Sequence, residues 1–185
     1  GLHLNITLEK LADIFKIFKN VQGRLEKLPC AKKNIIVDYA HTPDALENVL
    51  KTLKLLKKKN SKIITVFGCG GNRDVLKRPL MAKVVEKYSD TCIVTSDNPR
   101  NEDPDLIIKD IISGFLKKIC YIVEIDRKLA IEKAIDLAGI DDIVLIAGKG
   151  HESGQIFSNI TIDFDDRQIA LKYIYEKGIE KYVFN

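Results

Sequence analysis

Four short segments gather the side chains able to hold a charged ligand. They are Asp38-Tyr39-Ala40-His41-Thr42-Pro43, Gly68-Cys69-Gly70-Gly71-Asn72-Arg73-Asp74, Ser96-Asp97-Asn98-Pro99-Arg100 and Gly148-Lys149-Gly150-His151-Glu152. Each mixes charge with residues that turn the chain. Arginine presents a planar fork of donors that fits a carboxylate or a phosphate. A carboxylate accepts from an ammonium. Purely structural turns use Asn, Asp, Gly and Pro, but they have little need for Arg and His at each one. Taken singly, each segment remains open to the plain-turn reading.

Each segment directly follows an apolar, β-branched run. The runs are Asn34–Asp38, 62–67, 91–95 and 142–147, and a fifth lies at 119–124. The loop after the fifth, Ile125-Asp126-Arg127, is short and less distinctive. None of the runs alternates cleanly with polar residues, which predicts strands buried on both faces. Between them, helical patterns occupy 44–58, 79–88, 105–117 and 128–138. The first places Ala45, Val49, Thr52, Leu53 and Leu56 on one stripe. Thr42-Pro43-Asp44 and Asp103-Pro104-Asp105 each offer a cap, a proline at the first helical position and an acidic first turn. Arg78-Pro79 opens the third helix. A separate amphipathic helix is expected at 8–18, and a last strand (160–164) and helix (166–177) at the end. The fold class is therefore α/β: a Rossmann-like, mostly parallel sheet of about six strands with helices on both faces. In such sheets ligands collect beyond the carboxyl ends of the strands, where the four charged segments lie.

Composition narrows the class. The chain has 185 residues, 30 Lys and Arg against 26 Asp and Glu, and 45% hydrophobic residues. That excludes a disordered tail, a collagen-like chain and a coiled coil. The excess of four positive charges, without an aromatic-rich basic stripe, argues against nucleic acid as a partner. No apolar stretch is long enough to span a bilayer, so no membrane association is expected. The four cysteines (Cys30, Cys69, Cys92, Cys120) form no CxxC pair. Three sit in apolar runs and read as small buried hydrophobes of a reducing cytoplasm. Lys57-Lys58-Lys59 reads as a solvated helix end. The glycine loop is not a dinucleotide fingerprint, because the next helix starts too late, and no Walker A lysine follows any glycine run. The chain starts Gly1-Leu2-His3 without Met, and the simplest expectation is a fragment of a longer, monomeric protein.

In this order, DYAHTP, FGCGGNRD with KRPLM, TSDNPR and AGKGHE resemble the C-terminal domain of the Mur ligases, nearest to the tripeptide synthetases that add a diamino acid. The resemblance runs from about Gly23 to Tyr173. It implies an ATP-driven enzyme that joins a diamino acid to UDP-N-acetylmuramoyl-L-alanyl-D-glutamate in peptidoglycan synthesis. It implies that Arg24, in Gly23-Arg24-Leu25-Glu26, reaches the ATP γ-phosphate, the alternative being a surface arginine in a linker. Asp38 and His41 become ATP-side candidates, His41 being equally open to a capping role. Arg73, Asp97, Asn98, Pro99, Arg100, Gly148 and Glu152 are implied to hold the incoming diamino acid, meso-diaminopimelate or a related diamino diacid. An arginine at position 100 suits a substrate with a distal carboxylate, which lysine lacks.

The sequence departs from the family pattern in two places. Asn72 stands where an Asp is usual, followed by Val75-Leu76 in place of Lys-Gly, and Ser153-Gly154-Gln155 lacks the usual aromatic. Both leave room for another diamino diacid, such as lanthionine. The P-loop, the Mg²⁺ ligands and the modified lysine of the family's central domain are not in these residues, and neither is the UDP-binding domain. The expected division is a hinge from the central domain over 1–22 and the C-terminal domain over 23–185. This chain by itself is expected to hold no metal and to catalyse nothing. The runner-up is a standalone binding module for an acidic amino acid or a nucleotide.

Overall fold

Uninterrupted apolar runs, rich in β-branched residues, become the inner strands of one sheet. The computed structural model describes residues 6–17, 21–31, 33–116 and 119–179. In chain order the elements are α1 (Leu8–Ile17), β1 (Glu26–Leu28), β2 (Asn34–Asp38), α2 (Pro43–Leu56), β3 (Ile63–Phe67), α3 (Lys77–Tyr88) and β4 (Thr91–Val94). They continue with α4 (Pro104–Ile112), β5 (Cys120–Val123), α5 (Arg127–Leu137), β6 (Ile143–Ala147), β7 (Gly154–Phe157), β8 (Ile160–Asp163) and α6 (Asp166–Glu176). Six strands form the main sheet in the order β1-β2-β6-β3-β4-β5. β2, β6, β3, β4 and β5 run parallel, and β1 joins the edge antiparallel.

Successive side chains of a strand point to opposite faces, so each inner strand feeds two cores. Ile36, Ile63, Leu145 and Val94 pack under α2, α3 and α4, against Leu46, Leu50, Leu53, Met81, Val85 and Ile111. Ile35, Val37, Ile64, Val66, Val144 and Ile146 pack under α5 and α6, against Ala130, Ile131, Ala134, Ile135 and Ile174. The expected sheet with helices on both faces is what forms.

Several local expectations need correction. The sixth strand of the sheet is β1, while the strand at 160–164 is β8, paired antiparallel with β7 in a separate hairpin. β5 is not buried on both faces: it is the edge strand, and Cys120 is exposed while the other three cysteines are buried. On α2 the buried stripe is Leu46, Leu50 and Leu53, with Leu56 turned out to solvent. α3 begins at Lys77, ahead of Pro79, and its start has no side-chain cap. α4 stops at Ile112 because the chain must then bring Gly114 against Pro79, where a Cβ would lie 2.1 Å from the Pro79 carbonyl. The two proline-opened caps do form: Thr42 Oγ1 accepts from Ala45 N–H, and Asp103 accepts from Asp105 N–H. Lys57 and Lys58 pair with Asp90 and Asp141 at the surface. In the expected 1–22 hinge the structure describes α1 and little else; residues 1–5 and 18–20 lie outside the described residues, as does Lys117. No helix among the described residues is long and apolar enough to cross a membrane.

Candidate functional site

Parallel pairing in register brings the carboxyl ends of β2, β6, β3 and β4 to one edge. The loops that follow enclose a cavity of about 430 Å³. Seven of the ten candidates named from sequence line it: His41, Arg73, Asp97, Asn98, Arg100, Gly148 and Glu152. Tyr39, Thr42, Gly68, Cys69, Gly70, Asp74 and Lys77 complete the wall. Arg24, Asp38 and Pro99 stand outside it.

The arginine side of the cavity is built around Gly70. A Cβ there would meet Arg100 Nη1 at 2.8 Å and Arg73 Cγ at 3.7 Å, so the two guanidinium chains flank a residue with no side chain. Arg100 Nη1 donates to Gly71 O (2.9 Å) and Asn98 O (3.4 Å), which fixes its plane and leaves its other N–H groups without a protein acceptor among the described residues. Its backbone is tied to the hairpin: Arg100 N–H donates to Ile156 O, and Ser158 N–H donates to Arg100 O. Arg100 itself sits at φ +52, a left-handed conformation uncommon for a non-glycine residue. Arg73 makes one long contact, to Asn72 O at 3.4 Å, and is otherwise exposed.

The carboxylate side is built around a buried cation. Lys149 has no solvent exposure. Its Nζ donates to Asn98 Oδ1 (2.7 Å) and Gly154 O (2.8 Å), and lies 3.3 Å from Asp97 Oδ1 and 3.8 Å from Glu152 Oε2. Asn98 Nδ2 donates to Glu152 Oε2 at 3.2 Å, and Asn98 Oδ1 also accepts from Ile156 N–H. Burial pushes the Lys149 ammonium down from its ordinary range, and Asp97 offsets part of that. Asp97 Oδ1 has no hydrogen-bond donor in this arrangement despite the nearby ammonium. That buried oxygen is one donor short.

A third group lies at the rim. The Arg24 guanidinium carbon sits 4.3 Å over the Tyr39 ring, within cation–π range. Tyr39 meets His41 edge-on (4.6 Å) and stacks on His151 (5.3 Å). Lys77 Nζ donates to His41 O. Asp38 faces inward: its carboxylate accepts from Leu25 N–H (2.8 Å) and Ala40 N–H (2.7 Å), so it fastens the Arg24 segment to the end of β2. Gly23 (φ +67) packs so closely on the Gly150-His151 peptide that a Cβ would lie 2.3 Å from it, a position open to glycine alone. Pro99 is buried, and its carbonyl accepts from Glu102 N–H, so it shapes the turn from behind the cavity.

Two buried arginines that sequence reading did not single out carry these loops. Arg127 forms a two-point pair with Asp166, both bonds 2.7 Å, and donates to Ser96 O and Ala147 O. Those carbonyls immediately precede Asp97 and Gly148. Burial opposes its charge, and Asp166 outweighs it, so the Arg127 cation is strengthened. Arg78 bridges Glu102 (2.7 Å) and Asp110 (2.8 Å) beneath the glycine loop, and Glu102 also accepts from Asn72 N–H. The available signal was charge without an obvious solvent face: Arg127 opens a helix, and arginine is rare at such a start.

Among the described residues, no three His, Cys, Asp or Glu side chains are grouped to hold a metal ion. The arrangement defines a polar cleft with paired cations facing paired anions, at the strand edge of a doubly wound sheet. The chain belongs to the Mur ligase family: the family described as "Mur ligase, glutamate ligase domain" matches residues 23–150. Among curated relatives, the UDP-N-acetylmuramoyl-L-alanyl-D-glutamate--2,6-diaminopimelate ligase of Chlamydia felis is 52% identical over 90% of this chain and 34% of that protein. The protein of the same name from Clostridioides difficile is 54% identical over 84% of this chain and 32% of that protein. A solved UDP-N-acetylmuramoyl-L-alanyl-D-glutamate--2,6-diaminopimelate ligase superposes with a TM-score of 0.81 at 38% identity, over 96% of this chain and 36% of that one. The fold is shared with a folylpolyglutamate synthase of Thermotoga maritima, at TM-score 0.55 and 23% identity over 77% of this chain and 31% of that one. The chain thus spans about a third of the length of the curated relatives it matches.

Proposed function

We propose that this chain is the C-terminal, amino-acid-docking domain of an ATP-driven ligase. The full-length enzyme joins one amine of meso-diaminopimelate to the glutamyl carboxylate of UDP-N-acetylmuramoyl-L-alanyl-D-glutamate in the cytoplasm. The observation that carries the reading is the charge layout of the cavity: Arg73 and Arg100 flank Gly70, while Asp97 and Glu152 converge around Asn98 and Lys149. A diamino diacid has a carboxylate and an ammonium to spare once one amine reacts. The free N–H groups of Arg100 suit the distal carboxylate, and the acidic side suits the distal ammonium.

In the full-length enzyme the glutamyl carboxylate takes the γ-phosphoryl group of ATP with release of ADP, and the amine of the diamino acid then displaces inorganic phosphate, losing a proton as the amide bond forms. Mg²⁺ serves that step in the full-length enzyme, with its ligands outside these residues. The residues of this chain position and enclose. Arg24 is exposed, stiffened by Tyr39 and anchored through Asp38, which fits a guanidinium held toward a phosphate at the rim. His41 and His151 extend that face. Docking this domain against the rest of the enzyme would exclude water from the cavity.

The test is kcat/KM of the full-length enzyme for meso-diaminopimelate and for lysine, in wild type and Arg100→Ala. Removing one partner of a desolvated charge pair costs about 2–5 kcal/mol, so the variant should lose most activity on meso-diaminopimelate while its disadvantage with lysine shrinks. An unchanged ratio between the two substrates overturns the assignment of Arg100 and the substrate class with it.

A further inference from the structure

The buried cation beneath the cavity has no place in the reading above beyond its position. Lys149 is sealed from solvent, so it cannot touch a ligand. Yet every group on the acidic side of the cavity reaches it. Asn98 and Asp97 come from the loop after β4, Glu152 from the loop after β6, and Gly154 opens the β7–β8 hairpin. Beside the single backbone bridge between Arg100 and Phe157, the loop after β4 and the stretch that runs from β6 into the hairpin are joined through one ammonium.

We propose that Lys149 is the positioning residue of the diamino-acid site. Its ammonium fixes Asn98, Asp97 and Glu152 in one arrangement and supplies the countercharge that lets two carboxylates face the same cavity and take the substrate's distal ammonium. The proposal rests on the reading of the cavity as a diamino-acid site.

The geometry supports this over a purely structural role. A lysine that only filled space would be replaceable by an apolar residue, and burying an ammonium is costly unless its partners repay it. Here the partners are the groups that line the cavity. Asn98 is the hub: its Oδ1 accepts from Lys149 and from Ile156 N–H, and its Nδ2 donates to Glu152. Without the ammonium, Asn98 Oδ1 loses its shorter bond, and the amide has less to hold its orientation. Glu152, partly exposed, would then lose the donor that aims it. Asp97 would lose its ion-pair partner at the cavity wall. The other charges close by are Arg127 and Asp166, which pair with each other; Arg127 also feels Asp97 and Glu152, but its donors are committed to Asp166 and to the Ser96 and Ala147 carbonyls, so it does not replace the Lys149 bond to Asn98.

The experiment is a comparison of two substrates in the full-length enzyme, meso-diaminopimelate and 2-aminopimelate, which lacks only the distal amine. Lys149→Met keeps length and removes charge. The expected result is a KM for meso-diaminopimelate raised about 10- to 100-fold, the size of effect seen when supporting partners of charged ligands are removed. KM for ATP should stay within about threefold, the scatter expected for a site that shares no contacts with the change. The preference for meso-diaminopimelate over 2-aminopimelate should shrink. In an Asp97→Asn background the same replacement should cost much less, because the two residues act as a unit. Equal loss on both substrates, or additive losses in the double variant, overturns the proposal.

Should Lys149→Met fail to fold, the wild-type chain decides by ¹⁵N NMR of its lysine side chains. A slowly exchanging, charged Lys149 Nζ at neutral pH supports the proposal, and a neutral amine overturns it. A wild-type enzyme that does not use meso-diaminopimelate would instead remove the substrate reading. A wild type that does, beside a variant with unchanged KM and selectivity, removes the role of Lys149 alone.

Discussion

Arg127 and Asp166 open the two helices on one face of the sheet and meet in a two-point ion pair with neither side chain exposed to solvent. The same guanidinium holds the carbonyls of Ser96 and Ala147, the last residues before Asp97 and Gly148. One buried cation thus ties α5 and α6 to the ends of β4 and β6. Removing one partner of such a pair leaves an uncompensated charge, at a cost of about 3–5 kcal/mol. Asp166→Asn should lower the urea midpoint of the chain by that equivalent. Replacing both by apolar residues of similar volume should recover part of the loss. A single variant as stable as wild type would mean that the pair contributes nothing.

Alkaline pH should unfold this chain earlier than its ion pairs suggest. Burial pushes the thiols of Cys69 and Cys92 from 9.0 up to about 12. Between those values the unfolded chain has released protons that the folded chain retains, so stability falls as pH rises. Lys149, an amine shifted down, acts the other way: the unfolded chain holds its proton longer, which raises stability with pH. Each thiol contributes a fall of up to about 4 kcal/mol at the full shift, and above the ordinary lysine range the amine adds no further rise. Urea midpoints measured from pH 8 to 11 check this, and Cys92→Ala should flatten the decline.

The glycine loop has no room for a methyl group at Gly68, where a Cβ would lie 2.2 Å from the Thr95 carbonyl oxygen, or at Gly71. A Cβ on Gly71 would lie 1.9 Å from the Pro99 carbonyl oxygen, which is backbone and cannot swing away. Gly71→Ala must therefore push the two loops apart and displace Arg100, whose Nη1 is held by Gly71 O. The expected cost is about 1–3 kcal/mol in stability and about 100-fold in kcat/KM for the amino acid. Denaturation of the variant chain reads the first, and steady-state kinetics of the full-length enzyme with the same replacement read the second. Near-normal kinetics would show that the loops tolerate separation.

Arg24→Ala in the full-length enzyme should act on kcat. Its guanidinium rests on Tyr39 without an acidic partner among the described residues. A donor that meets charge as it develops is worth about 10²–10³ in kcat, and KM for the amino acid should hardly move. A variant with unchanged kcat returns Arg24 to the role of a linker residue packed on Tyr39.

The sheet was legible where burial is total. β2, β3, β4 and β6 announce themselves as apolar runs because both faces are covered, and the loops behind them stood out because charge there has no structural excuse. β1 was missed because two of its three residues are Glu26 and Lys27, whose pairing is decided by β2 rather than by pattern. β7 begins at a glycine and pairs only with β8, so nothing local distinguished it from a loop. Arg73, Arg100 and Glu152 were named through the family resemblance, and the structure places all three on the wall of one cavity. Arg127, Arg78 and Lys149 were not singled out, because the side chains that hold them, Asp166, Glu102 and Asn98, lie 39, 24 and 51 residues away along the chain. Asp38, an ATP-side candidate by resemblance, has a carboxylate that accepts from two backbone N–H groups, a fastening role that its place in the sequence did not announce.

β6 lies between β2 and β3, yet it is made after both and after β4 and β5. On the ribosome, β2 and β3 therefore wait with facing edges unpaired while roughly 80 further residues are added, about 4–16 s at ordinary elongation rates. Neither edge can close on the other in the native order, and each presents open backbone donors and acceptors to any neighbouring chain. The nascent polypeptide is most in need of a chaperone over this interval, and the last strand to arrive is the one that completes both halves of the sheet.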